Sequence, residues 1–400
     1  MNPQELNDWL ATARNWLQEQ APDYSGKARQ GLTMDEDLAL GRRWQALKSD
    51  AGYACITLPR QYGGGGGTEM QKILFEAEEK TWDLPNTYFG ISLGMPVPML
   101  LRYGSEAVKD ELLPKAIRGE HIWCQLFSEP AAGSDLAALT LKATRDGDGW
   151  RLNGQKLWTS WAQYSDWGII VTRSDPTVPK HAGLTYFYLD MKSEGVEVRT
   201  IRKLAGESEI NEVFFNNVYV PDSQRMGEVG GGFKVAIETL MVERYAVSDE
   251  ACGGISAERF IDIAARARIG SRPALEDGEV RRLLADTLVE RQGLRSIHRR
   301  AMEAIAAGHE PGPEGAIRKL LIAKRRLLLG AAAMDLMGPD ALLYDSSAAQ
   351  SNDPVNAWIE APPIRIAGGT DEILRNTIAE KVLRLPQDHR PDKGVPFNQL

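Results

Sequence analysis

Apolar positions follow helical spacing at both ends of the chain and strand spacing between them. Leu6, Trp9, Leu10, Ala13, Trp16 and Leu17 recur at i, i+3, i+4, i+7 and predict one amphipathic helix. Thr68 to Lys80 and Ser105 to Arg118 read the same way, separated by Pro59 and the glycines 63–67. From about residue 121 the period shortens. Leu139 to Thr144, Trp150 to Leu152, Trp167 to Thr172, Leu184 to Met191, Val196 to Ile201 and Val213 to Val220 are short β-branched or aromatic runs. Asp146-Gly147-Asp148-Gly149 and Asn153-Gly154 are turn signals among them. Strands at this spacing suggest a small barrel or sandwich. After Pro221 and the glycines 230–232 the helical period returns. Phe233, Ile237, Leu240, Met241 and Arg244 share one face, and long helical patterns cover Glu279 to Ala307 and Gly315 to Met337. A last helix is expected from about Thr370 to Leu383, with Thr370 as its N-cap.

The predicted organisation is α+β: a helical part over 1–120, a β-domain over 121–225, a helical part over 226–385 and a charged, proline-containing tail over 386–400. The tail is expected to be mobile or draped on a partner. Four hundred residues fit two or three domains.

Composition narrows the function. The formal charge of −8 disfavours a phosphate backbone as a partner. Three Cys without C-x-x-C spacing and five scattered His argue against a metal centre. The start MNPQELNDWL lacks the basic and apolar regions of a signal peptide, and Leu327 to Met337 is too short to span a bilayer. A cytoplasmic protein is expected. The glycines 63–67 lack the Lys of a phosphate loop and read as a flexible inter-helix connection.

Three segments carry candidate chemistry. In Trp123-Cys-Gln-Leu-Phe-Ser-Glu-Pro-Ala-Ala-Gly-Ser-Asp135 an apolar strand runs into a tight turn of small polar groups, suited to a planar polar ring and a diphosphate. Leu152-Asn-Gly-Gln-Lys-Leu-Trp-Thr-Ser160 offers a turn and an aromatic able to stack. Ile366-Ala-Gly-Gly-Thr-Asp-Glu-Ile-Leu-Arg375 is a glycine pair opening a helix.

Together, in this order, these segments resemble the acyl-CoA dehydrogenase family, from Pro59-Arg-Gln-Tyr-Gly-Gly64 to Leu383. The resemblance implies an N-terminal helical domain, a central β-domain and a C-terminal four-helix bundle. It also implies FAD, an acyl-CoA substrate, an electron-transferring flavoprotein as acceptor, and a homo-oligomer, a dimer or a tetramer. For the cofactor it points to Gln125, Phe127, Ser128, Gly133, Ser134, Trp158, Ser160, Thr370 and Glu372, with Asp335 and Gly338 contacting the adenine half from another subunit. Arg266 matches the diphosphate clamp by offset, although Ile269 stands where many members have Phe.

One departure is informative. Where many members carry the catalytic Glu before Gly-Thr, this chain has Gly368, which keeps the main-chain N–H that the family aims at the thioester oxygen. Glu243, in Leu240-Met-Val-Glu-Arg-Tyr245, occupies the alternative base position on an earlier helix. Arg244, the family's arginine, and Ser134 then face the substrate. The space left at Gly368 points to a branched or bulky acyl group, as in members acting on steroid side chains. Two alternatives remain open: a catalytically silent subunit of a mixed tetramer, and a flavin monooxygenase or desulfinase on the same fold.

Overall fold

The structure, a computed structural model, describes residues 2–204, 206, 208–247, 255–306, 312–343 and 353–400; the side chains at 242–247, 305, 306 and 342 lie outside the description. Two compact units are present, one of residues 1–202, 208–242 and 390–400, the other of 203–207 and 243–389.

The first unit begins with helices α1 (Pro3–Gln20), α2 (Met34–Asp50), α3 (Glu69–Glu79), α4 (Gly90–Gly94), α5 (Pro96–Tyr103) and α6 (Glu106–Ile117). Their starts follow local chemistry. Asn2, Thr33 and Thr68 each close a capping box with the residue three positions on, and Ser105 caps α6. The glycines between α2 and α3 are not a flexible connection. All five amides from Gly63 to Gly67 donate to carbonyls within Cys55–Arg60, leaving none for a phosphate. A side chain at Gly64 or Gly65 would overlap the carbonyl oxygen of Leu58 or Gly52. Close packing of backbone on backbone, rather than freedom, requires glycine here.

The strands β1 (Trp123–Leu126), β2 (Lys142–Asp146), β3 (Gly149–Ser160), β4 (Trp167–Arg173), β5 (Leu184–Asp190), β6 (Val196–Ile201) and β7 (Ile210–Pro221) form one curled sheet in the order β1-β4-β2-β3-β7-β6, with β5 also paired to β4. Both faces of its centre are buried. Ile169, Val171, Tyr186 and Tyr188 pack with Val97, Leu100, Leu113 and Ile117 of the helices. The alternate residues Ile170, Phe187 and Leu189 join Leu152, Val213, Val218 and Val220 on the other face. Double burial explains the continuous apolar runs in β4 and β5. The Asp146–Gly149 turn closes the β2–β3 hairpin, with Gly147 at φ 58°.

Asn153-Gly154 is not a turn. It lies inside the twelve-residue β3 and forms a bulge against β7. Gly154 has φ 144°, a Cβ there would press on Leu141, and the Asn153 Oδ1 accepts the N–H of Asn217. The carboxamide serves the neighbouring strand instead of a turn of its own.

Helix α7 (Gly232–Val247) starts in the first unit, where Val235, Ala236 and Thr239 are buried and Tyr186 bonds Thr239. The second unit holds α8 (Ala257–Arg266), the short hairpin β8 (Arg268–Ile269) and β9 (Arg272–Pro273), then α9 (Gly278–Ala306), α10 (Gly315–Met337), α11 (Pro354–Ile366) and α12 (Asp371–Thr377). Phe260, Ile263, Leu329, Ala333 and Ala357 form its core. α12 is shorter than expected, because a π-turn takes over at Ile378–Val382.

The expectation of a mobile tail is corrected for Arg390–Leu400, which packs on the first unit. The Phe397 and Asn398 amides donate to the carbonyls of Val178 and Pro176, at 2.9 Å each. Among the described residues no helix is long and apolar enough to cross a membrane, and no cluster of His, Cys, Asp and Glu is placed to hold a metal ion.

Candidate active site

In the first unit the site grows from the end of β1. Gln125 lies on this strand with its amide nitrogen buried and unpartnered. The Phe127 ring is buried edge-on to Tyr186, centroids 5.8 Å apart, so its side chain belongs to the core. The Ser128 carbonyl accepts the N–H of Leu157 at 2.8 Å, which ties the residues after β1 to β3. Beyond Glu129 the chain turns, leaving Gly133 and Ser134 exposed. A Cβ at Gly133 would meet nothing within 4 Å, so the turn is open on that side.

Two charged residues hold this junction, and sequence reasoning missed both. Lys156 is 0 % exposed, and its Nζ donates to the Phe127 carbonyl at 3.0 Å and to Glu129 Oε1 at 2.9 Å. Glu129 also accepts from the Thr140 N–H and hydroxyl and from the Leu141 N–H. Burial pushes the Lys156 ammonium down to about 8, against the pull of Glu129. Burial pushes the Glu129 carboxyl up, but the Lys156 charge and the donors from Thr140 and Leu141 outweigh it and hold it below its ordinary value. The pair joins the first motif to the second. Its only sequence signal is the presence of Glu and Lys inside the two motifs.

The second motif ends in an irregularity. The pairing of β3 with β7 shifts between Lys156 and Thr159, and Trp158 within the shift has φ 61°. A bulky residue in the left-handed region marks strain held in place by its surroundings. The outcome is an indole that is 59 % exposed between the half-buried Leu157 and the buried Thr159. Next to it the Thr159 hydroxyl is buried without a partner, and Ser160 is half-buried opposite Ile210.

The second unit carries the third motif. Gly368 and Gly369 have φ 61° and 96°, so the run between α11 and α12 needs two residues free of a Cβ penalty. The Lys319 ammonium of α10, nearly buried, donates to the carbonyls of Ala367 and Gly369 and fixes the loop from below. The Thr370 hydroxyl caps α12 by accepting from Ile373. Arg365 pairs with Asp371 at 2.7 Å, which leaves the buried Asp371 Oδ1 unpartnered. Glu372 is exposed beside the cap. The other expected residues of this unit do not gather here. Arg266 is exposed at the end of α8, Asp335 is exposed on α10, and Gly338 ends α10 at φ 59°. Glu243 and Arg244 lie on α7, but their side chains fall outside the described ones.

These features suit a planar cofactor with a polar edge. Gln125 on β1 and Thr159 on β3 carry buried, unpartnered polar groups, Thr159 next in sequence to an exposed indole, and a flavin ring supplies both hydrogen-bonding edges and a stacking face.

Comparison with known proteins agrees. The chain matches the acyl-CoA dehydrogenase N-terminal domain over residues 3–120, the middle domain over 124–218 and the C-terminal domain over 230–383. It is 34 % identical over 352 residues to the acyl-CoA dehydrogenase FadE34 of Mycobacterium tuberculosis, covering 86 % of this chain but spanning only 46 % of that relative's length. It is 31 % identical over 391 residues to the acyl-CoA dehydrogenase IpdE1 of the same organism, covering 96 % of this chain and 99 % of the relative. The crystal structure of an acyl-CoA dehydrogenase from Geobacillus kaustophilus superposes with a TM-score of 0.76 at 24 % identity, over 95 % of this chain and 98 % of the other. The chain therefore belongs to the acyl-CoA dehydrogenase family of flavin enzymes.

Proposed function

We propose that this chain is an FAD-dependent dehydrogenase of an acyl-CoA thioester, with Glu243 as the base that takes the α-proton. The observation that carries the cofactor reading is the strained, exposed Trp158 beside the unpartnered Thr159 hydroxyl. Gln125, Phe127 by its main chain, Ser128, Gly133, Ser134, Trp158, Ser160 and Thr370 are the residues proposed to hold FAD. Glu372, Arg266, Asp335 and Gly338 are proposed to complete its contacts.

When bound, FAD supplies the acceptor for the hydride leaving the β-carbon. The chain does the rest. The Gly368 N–H donates to the thioester oxygen, stabilising the charge that develops there as the α-proton leaves. The left-handed glycine pair and Lys319 hold that N–H in a fixed loop. Arg244 and Ser134 orient the acyl-CoA. A glycine at 368 leaves room for a branched or bulky acyl group. An electron-transferring flavoprotein is the proposed partner that would accept the electrons. Assembly into a dimer or tetramer is supported by the exposed Leu288 and Val289 on α9, apolar side chains without cover in the single chain.

The purified chain is expected to be yellow, with FAD released on denaturation. Trp158→Ala is expected to weaken FAD binding about 5-fold, corresponding to loss of about 1 kcal/mol of aromatic stacking. Fluorescence titration of the FAD-free protein measures both. A chain that stays colourless after FAD addition would refute the cofactor assignment.

A further inference from the structure

The segment Arg390–Leu400 reaches back to the strand-end loop that carries Gly133 and Ser134, and the contacts run through a buried cation. Arg173, the last residue of β4, is 3 % exposed. Its guanidinium donates to the carbonyls of Ala137 and Leu139, both in that loop, and to the Lys180 carbonyl at 2.7 Å. A buried guanidinium hydrogen-bonded to carbonyls alone is costly to desolvate and needs its remaining surface covered. Phe397 supplies the cover, with its ring centroid 3.9 Å from the guanidinium carbon.

A second contact acts at the loop's tip. Lys180 Nζ lies 2.7 Å from Asp135, the residue after Ser134, and 2.7 Å from Asp392 in the returning segment. The segment is itself anchored by the amides of Phe397 and Asn398 on Val178 and Pro176. The loop is thus held at three places: at its root by Glu129 on Lys156, at its tip by Asp135 on Lys180, and at its return by Ala137 and Leu139 on Arg173. At two of the three the cation that holds the loop is also contacted by the returning segment, Lys180 by Asp392 and Arg173 by Phe397.

We infer that Arg390–Leu400 is a strap whose Phe397, acting through Arg173, positions the Gly133–Ser134 loop. Its consequence for catalysis rests on the proposal above that Gly133 and Ser134 meet flavin and substrate. Phe397 and Arg173 are positioning residues. Without the ring, water reaches the face of the guanidinium and competes for it, and the hold on Ala137 and Leu139 loosens.

The test compares the full chain with Phe397→Ala and Phe397→Trp by hydrogen exchange of the FAD-free protein and by FAD titration. In Phe397→Ala the amides of residues 131–139 are expected to exchange roughly ten-fold faster. FAD is expected to bind several-fold more weakly, and amides in β6 and β7 should keep their rates. Phe397→Trp, which restores an aromatic face, should return both readouts toward wild type. Asp392→Asn should give a smaller change in the same amides. Unchanged exchange at 131–139 in Phe397→Ala overturns the strap, and so does a rise spread evenly over the whole unit. Faster exchange confined to 131–139 with unaltered FAD affinity upholds the strap and counts instead against the assignment of Gly133 and Ser134 to the cofactor.

Discussion

Glu243→Gln is expected to lower turnover by about 10²–10⁴-fold, the usual contribution of a positioned general base. Glutamine keeps the size and hydrogen-bonding shape of glutamate but accepts no proton. The loss should fall on kcat and kcat/KM together, since the base acts in the transition state rather than in binding. FAD content and the unfolding midpoint should stay near wild type. Gly368→Glu in the same background tests the family's other base position. Position 368 has φ 61°, where a side chain costs about 1 kcal/mol, so partial rescue with a narrower substrate range is expected. Steady-state kinetics on the two variants check this. Near-normal turnover in Glu243→Gln would assign the base elsewhere.

The largest stability effect is expected at Lys156. Lys156→Met leaves the Glu129 carboxylate buried with its cation removed, and breaking a buried pair from one side costs about 3–5 kcal/mol. The variant is also expected to lose FAD, because the pair joins the first motif to the strand that presents Trp158. Lys156→Met with Glu129→Leu removes both charges and should recover much of the stability but not the cofactor. Acid has a related effect. The Glu129 carboxyl is held below its ordinary value in the folded chain, so the unfolded chain binds the proton more readily. Its contribution is complete above the ordinary carboxylate range and is lost as pH falls through the folded value. Denaturant midpoints measured from neutral pH downward should fall less steeply in the double variant. An unchanged midpoint in Lys156→Met would contradict this view of the junction.

Much of the framework was legible because local chemistry and tertiary packing agree there. The i, i+3, i+4 patterns of α1, α3 and α6 begin at side-chain caps, and the Asp-Gly hairpin closes where its φ > 0 glycine demands. The sequence was misleading where long-range contacts override a local signal. Asn153-Gly154 has turn chemistry, yet its carboxamide is claimed by Asn217 of β7. The glycines 63–67 look flexible, but their amides are spent on Cys55–Arg60. The last eleven residues look like a mobile tail because their charges read as solvated, whereas Asp392 and Phe397 find partners more than two hundred residues away in Lys180 and Arg173. At the candidate site, the motifs located Gln125, Trp158 and the glycine pair. The buried charges that hold them, Lys156, Glu129 and Lys319, read by type as surface residues. Phe127 matched the family pattern, but its ring packs in the core.

On the function proposed above, this chain oxidises an acyl-CoA thioester with its own flavin. The most direct measurement is anaerobic mixing of the FAD-loaded protein with a panel of straight, branched and polycyclic acyl-CoA thioesters while the yellow flavin absorbance is followed. Rapid loss of colour is expected with at least one branched or bulky thioester, and none with the corresponding free acid or with coenzyme A alone. A flavin that stays oxidised with every thioester would contradict it.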